Sequence, residues 1–180
     1  MLIFVDTQIL IWGVRQFASA GQEGMIDMAR AFFQQVQAQG DQVGIAAPTL
    51  AEYLVRTPEA DRQKVVAEFQ RCFCVYPFDC GAAAQGAQLW SRVHGGKSLG
   101  EVAKEIGARR YELKVDHQVV SIAVHRGASR LYTHDEFMLR FAKPFIRAEK
   151  LPPTQGRLPL ELEPGSAIVE IASSTDDLGT

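Results

Sequence analysis

The chain opens on a short apolar run, Leu2-Ile3-Phe4-Val5, that stops at Asp6. A run of this length ending on a polar residue reads as a buried strand with the carboxylate at its C-terminal tip. Residues 43–46 and 72–76 read as further short strands, each bounded by Gly, Pro or Asp. Arg130-Leu131-Tyr132-Thr133-His134-Asp135 repeats the opening pattern near the other end. Between these runs the period lengthens. Met25, Met28, Ala29, Phe32, Phe33 and Val36 recur at helical spacing, and Gly40 stops that helix. Ala83, Ala87, Trp90 and Val93 form another stripe, and Glu101, Glu105 and Arg109 at i, i+4 suit an exposed helical face. Gly95-Gly96-Lys97-Ser98 breaks the chain between the two. Strands alternating with helices predict the α/β class, with a parallel sheet covered on both sides.

The pattern changes after residue 150. Leu151-Pro152-Pro153 opens a stretch containing Pro and Gly, in which residues 158–163 and 167–171 read as short strands around Pro164-Gly165. Residues 173–180 are polar and are expected to fray. The chain thus divides into a domain over 1–150 and a C-terminal extension over 151–180. No internal repeat or low-complexity tract interrupts it.

Composition narrows the partners. With 180 residues, 47% apolar and 22% charged, the chain is large enough for one ordinary globular core. No apolar stretch approaches the roughly 18–20 residues of a membrane span. The N-terminus lacks a basic region and a cleavage site, so a cytoplasmic protein is expected, with no membrane partner. A net charge of −2 argues against nonspecific duplex binding, though not against an enzyme that grips a few phosphates. Cys72, Cys74 and Cys80 are odd in number and read as reduced thiols, with Cys72 and Cys74 on one face of a strand.

The candidate chemistry lies in four acids. Asp6, Glu52, Asp116 and Asp135 all fall where strands are expected to give way to helices. In open α/β sheets the ligand site lies at the carboxyl ends of the strands. Carboxylates that meet there repel, and a divalent cation is the usual way such a cluster stays ionised. Each acid also has a plainer reading. Thr49-Leu50-Ala51-Glu52 fits a capping box, and Asp6, Asp116 and Asp135 precede helical patterns as N-caps. Other site types lack their motifs. The four histidines are scattered, the GKS at residues 96–98 lacks its preceding strand and glycine, and no G-x-S-x-G elbow occurs.

In order, Phe4-Val5-Asp6-Thr7, Thr49-Leu50-Ala51-Glu52, Asp116-His117-Gln118-Val119-Val120-Ser121-Ile122-Ala123 and Leu131-Tyr132-Thr133-His134-Asp135-Glu136-Phe137 resemble a PIN domain. Within that family they are most similar to the VapC-type toxins of bacterial toxin–antitoxin modules. The resemblance covers roughly residues 1–150. It implies a three-layer α/β/α fold with a central parallel sheet and an Mg²⁺- or Mn²⁺-dependent endoribonuclease. It implies an acidic quartet of Asp6, Glu52, Asp116 and Asp135, with Thr133 positioning Asp135 or a bound water. RNA is then the substrate and an antitoxin protein the partner. The tail and the modest Arg and Lys content near the site depart from a typical VapC.

In this scheme Asp6 and Asp116 are direct metal ligands, and Asp135 and Glu52 are further ligands or hold bound water. Lys114, Arg15, Tyr53 and Arg56 are candidates for phosphate contact, each more simply read as an ordinary surface or packing residue. Trp12 reads as core before it reads as a base-stacking platform. Ile9, Leu10, Ile11, Trp12, Val14 and Phe17 outnumber one helical stripe, so a groove for a partner peptide or for a homodimer is expected there. The rival class is a PIN-like module that binds RNA or protein without cutting. A phosphatase of the haloacid dehalogenase type is disfavoured, because Asp6 is followed by Thr7-Gln8 and not by a D-x-D start.

Overall fold

A computed structural model describes residues 1–153 of the chain. Five strands form one parallel sheet: β1 (Leu2–Val5), β2 (Gln42–Ala46), β3 (Cys74–Tyr76), β4 (Arg130–Tyr132) and β5 (Arg147–Glu149). Their order across the sheet is β3-β2-β1-β4-β5. The chain winds outward from β1 in one direction and then restarts on β1's other side. The boundary between β1 and β4 is therefore the point where the winding reverses, and open α/β sheets place their ligands at the carboxyl ends of the strands at such a point.

Alternation along the strands separates two cores. Ile3 and Val5 face one way, with Val43 and Ile45, against α1 (Thr7–Gly13), α2 (Gly24–Ala38), α3 (Ala47–Val55) and α4 (Arg62–Cys72). Phe4, Ala46 and Leu131 face the other way, against α5 (Cys80–His94), α7 (Arg110–His125) and α8 (Glu136–Ala142). The short helix α6 (Leu99–Ile106) packs Val102 and Ala103 beside Leu113 of α7. This is the expected three-layer α/β/α arrangement. Central β1 is apolar on both faces because both are covered. Gly44 is required beside it, since a Cβ there would lie 2.5 Å from the Phe4 ring.

Several local expectations are corrected. Cys72 ends α4 and does not begin β3, so it shares no strand face with Cys74; all three cysteines are free thiols. The buried residues of α5 are Ala82, Gly86 and Leu89, while Ala83, Ala87 and Val93 face solvent. The helix approaches α7 through Gly86, where a Cβ would lie 2.6 Å from Ser121 Oγ. Arg109 lies beyond α6, which Gly107 ends in a left-handed conformation (φ 67°). The strands expected at 158–163 and 167–171, and most of the 151–180 extension, lie outside the described residues.

Candidate functional site

Asp6 and Asp135 stand where the sequence placed them. Asp6 follows β1 and caps α1, with its Oδ1 accepting from the Ile9 N–H at 3.2 Å. Asp135 caps α8, with its Oδ1 accepting from the Met138 N–H at 2.6 Å. The two are joined by Thr133 at the end of β4. The Thr133 hydroxyl donates to Asp6 Oδ2 and accepts from the Asp135 N–H at 3.0 Å. The sheet fixes this pairing, because the Asp6 N–H donates to the Tyr132 carbonyl across the β1–β4 boundary at 3.1 Å.

Glu52 and Asp116 reach the same place from helices, and neither is at a strand junction. Helix α3 starts at Ala47, with Pro48 in its first turn, so Thr49 is inside the helix and caps nothing. The expected capping box is absent, and the buried Thr49 hydroxyl has no partner among the described residues. Glu52 lies on α3 and takes the Thr7 hydroxyl at Oε2. Asp116 lies inside α7, which begins six residues earlier at Arg110. It is therefore not an N-cap. Sequence reading placed the helix start too late because it followed only the apolar run after Val119 and missed the buried Leu113.

Asp116 is electrostatically coupled to the other acids. Burial pushes the Asp116 carboxyl from 3.8 up to about 8, reinforced by the charges of Asp135, Glu52, Asp6 and Glu112. Asp6, 6% exposed, is pushed up to about 6 by burial. Hydrogen bonds from Thr133, Ile9 and Gln8 hold it below what burial alone would give, and Asp135 adds repulsion. Glu112 is a member that the sequence reading missed; its i, i+4 spacing from Asp116 was the available signal. Thr7 is another, legible only as the hydroxyl next to Asp6.

The arrangement stops short of a closed cation cage. Among the described residues no three acidic, His or Cys side chains are grouped closely enough to hold one ion. Asp6, Asp135 and Glu52 are each turned toward a protein donor. The donor set is nonetheless all carboxylate oxygen, which suits Mg²⁺ or Mn²⁺ and not Zn²⁺. Glu52 and Asp135 are exposed side chains with room to turn toward an ion.

The neighbouring candidates mostly resolve to packing. Trp12 is 2% exposed, in the core and edge-on to His134. Tyr53 is buried beneath the Arg15 guanidinium, which also donates to the Tyr53 carbonyl and to Thr57. Lys114 and Arg56 are exposed. Of the six apolar residues expected to form a partner groove, Ile9, Leu10, Trp12 and Val14 are buried in the chain's own core, Ile11 is half-buried, and Phe17 alone is largely exposed at 51%. That removes the continuous surface on which a groove was expected.

No protein-family model matches the chain, and no curated protein matches it significantly. Solved structures do. A chain of VapBC2 from Rickettsia felis, bound to a DNA fragment from their promoter, superposes with TM-score 0.56 over 84% of this chain and 100% of that one, at 15% identity. This protein has the PIN-like fold. The PIN-like chain also matches DNA-bound VapBC from Salmonella typhimurium (TM-score 0.53, 20% identity, 84% and 100% covered). VapBC-1 from nontypeable Haemophilus influenzae matches in the same way (TM-score 0.54, 13% identity, 84% and 98% covered). At these identities the likeness concerns the fold.

Proposed function

We propose that this PIN-like chain is an Mg²⁺- or Mn²⁺-dependent endoribonuclease, the toxin of a VapBC-type toxin–antitoxin pair. One observation carries the reading. Asp116, half-buried inside α7, is pushed up to about 8, by burial first and then by the charges of Asp135, Glu52, Asp6 and Glu112. A fold needing only helix caps has no reason to bring an uncapping, half-buried acid into that field. A divalent cation relieves the repulsion and, when bound, lowers the pKa of water and neutralises charge developing on a departing phosphodiester oxygen.

The chain's own residues set the stage for that chemistry. Asp6 and Asp116 are the proposed direct ligands, with Asp135 and Glu52 beside them. Thr133 holds Asp6 in one orientation and favours its ionised form, so the ligand is ready near neutral pH. Its second bond fixes the start of α8 and hence Asp135. Thr7 hydrogen-bonds Glu52 from the start of α1. The helix α7 carries Asp116 on a rigid backbone. No side chain needs to form a covalent intermediate. RNA is the proposed substrate, an antitoxin the proposed partner and the cytoplasm the proposed location. No helix among the described residues is long and apolar enough to cross a membrane.

The test is cleavage of labelled total RNA by the parent chain and by Asp6→Asn and Asp116→Asn, with Mn²⁺ and with EDTA, alongside Mn²⁺ titration calorimetry. Cleavage by the parent only with metal, lost in both variants, is expected. Mn²⁺ binding without cleavage favours the non-cutting PIN-like module, and equal cleavage by all three proteins overturns the assignment.

A further inference from the structure

Helix α7 carries more than Asp116. Glu112 stands one turn before Asp116 on the same face. Arg109, the residue that caps the helix, continues that line about 10 Å from Asp116 along the axis. The Glu112 charge is felt at Asp116, so this face leads from the carboxylates to the start of the helix. There three side chains form a closed set. Arg109 donates to the Tyr111 hydroxyl at 2.9 Å, and that hydroxyl donates to Glu112 Oε1 at 3.1 Å. The Arg109 guanidinium lies 3.9 Å from the same Glu112 oxygen.

The core does not account for this set. Tyr111 is 59% exposed, while the neighbouring Leu113 supplies the buried contact with α6. A single exposed ring is ordinary on a protein surface. This one is held by its hydroxyl from two sides and still lies largely in solvent. Arg109 has donors to spare. A guanidinium carries five N–H groups, the Tyr111 hydroxyl takes one, and 3.9 Å to Glu112 is beyond hydrogen-bond reach. Charge agrees as well. Residues 109–114 carry Arg109, Arg110 and Lys114 against Glu112 alone, in a chain of net charge −2. Arg110 and Lys114 are exposed and make no ion pair among the described residues.

We propose that Arg109 and Tyr111 form a subsite for the RNA strand leading away from the carboxylates, with a phosphate on the Arg109 guanidinium and a base stacked on the Tyr111 ring. The identity of the strand rests on the nuclease reading. A guanidinium presents paired donors that phosphate oxygens accept in a fork. An exposed aromatic ring takes a base of any identity, because every base has a π face, and the base must be unpaired to reach it. Glu112 keeps Arg109 and Tyr111 side by side in the free chain, so both contacts are arranged before the strand arrives. Arg109 and Tyr111 are thus substrate-positioning residues, and the chemistry stays with the acids.

Fluorescence anisotropy of a labelled, mixed-sequence single-stranded oligoribonucleotide with the full chain in EDTA tests it apart from cleavage. Tyr111→Ala is expected to weaken binding by about 5- to 100-fold, and Tyr111→Phe, which keeps the ring, by no more than about threefold. Arg109→Gln is expected to weaken binding and to flatten the slope of log K against log salt by about 0.7, the share of one phosphate on a single strand, while Arg109→Lys keeps the slope. Parent-like binding by Tyr111→Ala, equal losses in Tyr111→Ala and Tyr111→Phe, or an unchanged slope in Arg109→Gln overturns the subsite. The nuclease reading fails by a different result. RNA bound through Tyr111 but never cut with Mn²⁺ keeps the subsite in a non-cutting module. Mn²⁺-dependent cleavage with parent-like binding by the variants keeps the nuclease and removes the subsite. A parent chain that binds no RNA overturns both.

Discussion

Replacing Asp116 with Asn removes a half-buried carboxylate that lies inside a helix and takes no capping role. Its ionisation opposes folding. The carboxyl rises from 3.8 to about 8 on folding, and each pH unit of such a rise corresponds to about 1.4 kcal/mol. Taken alone this gives an upper limit of about 6 kcal/mol at alkaline pH. The repulsion is shared with Asp135, Glu52, Asp6 and Glu112, and proton uptake by any of them relieves part of it, so about 2 kcal/mol is the working figure. The sign follows from linkage. Between pH 3.8 and about 8 the folded chain holds a proton that the unfolded chain releases. Stability from this group is therefore intact below the lower value and is lost as pH rises through the higher one. Asn cannot ionise, so the metal-free variant should melt above the parent by about 4–8 °C near pH 8 and by little near pH 4. Excess Mn²⁺ should stabilise the parent by about 2.7 kcal/mol at a hundredfold excess over Kd, and the variant by less. Thermal melts in EDTA and in Mn²⁺ across that pH range measure all of this. A variant that melts at or below the parent at pH 8, or a gap that does not change with pH, refutes the shared-charge argument. Equal Mn²⁺ shifts in both proteins refute the shared metal site.

Thr133→Val removes a donor from a buried carboxylate and should cost about 1.5–3 kcal/mol in urea melts at neutral pH. The loss should shrink as pH falls below about 6, where Asp6 is neutral in the fold; an equal loss in acid contradicts the bond to Asp6. Thr7→Val should lower RNA cleavage while changing stability by less than about 1 kcal/mol, since Glu52 is exposed, and Thr7→Ser should restore activity. Gly44→Ala should destabilise by about 1–3 kcal/mol in the same melts, because its Cβ would meet the Phe4 ring at 2.5 Å. Deleting residues 173–180 should leave melting temperature and cleavage unchanged, because the segment carries no apolar pattern to bury.

The α/β class was legible in the sequence because strand and helix have different periods, and a two-face-buried strand such as β1 has no polar position until it ends. Asp6 and Asp135 were legible for the same reason: a carboxylate after an apolar run marks both a strand tip and a cap. The phase of α5 was not, because the helix packs on α7 through Gly86, a residue without a side chain to signal its face. Only the tertiary structure placed Asp116 within α7 and brought Glu52 into its field. Convergence of that kind depends on strand order, which sets β1 beside β4, and on the packing of α3 beside α7. Neither leaves a periodic trace along the chain, so local sequence determines which residues carry charge, and packing between distant segments determines which charges meet.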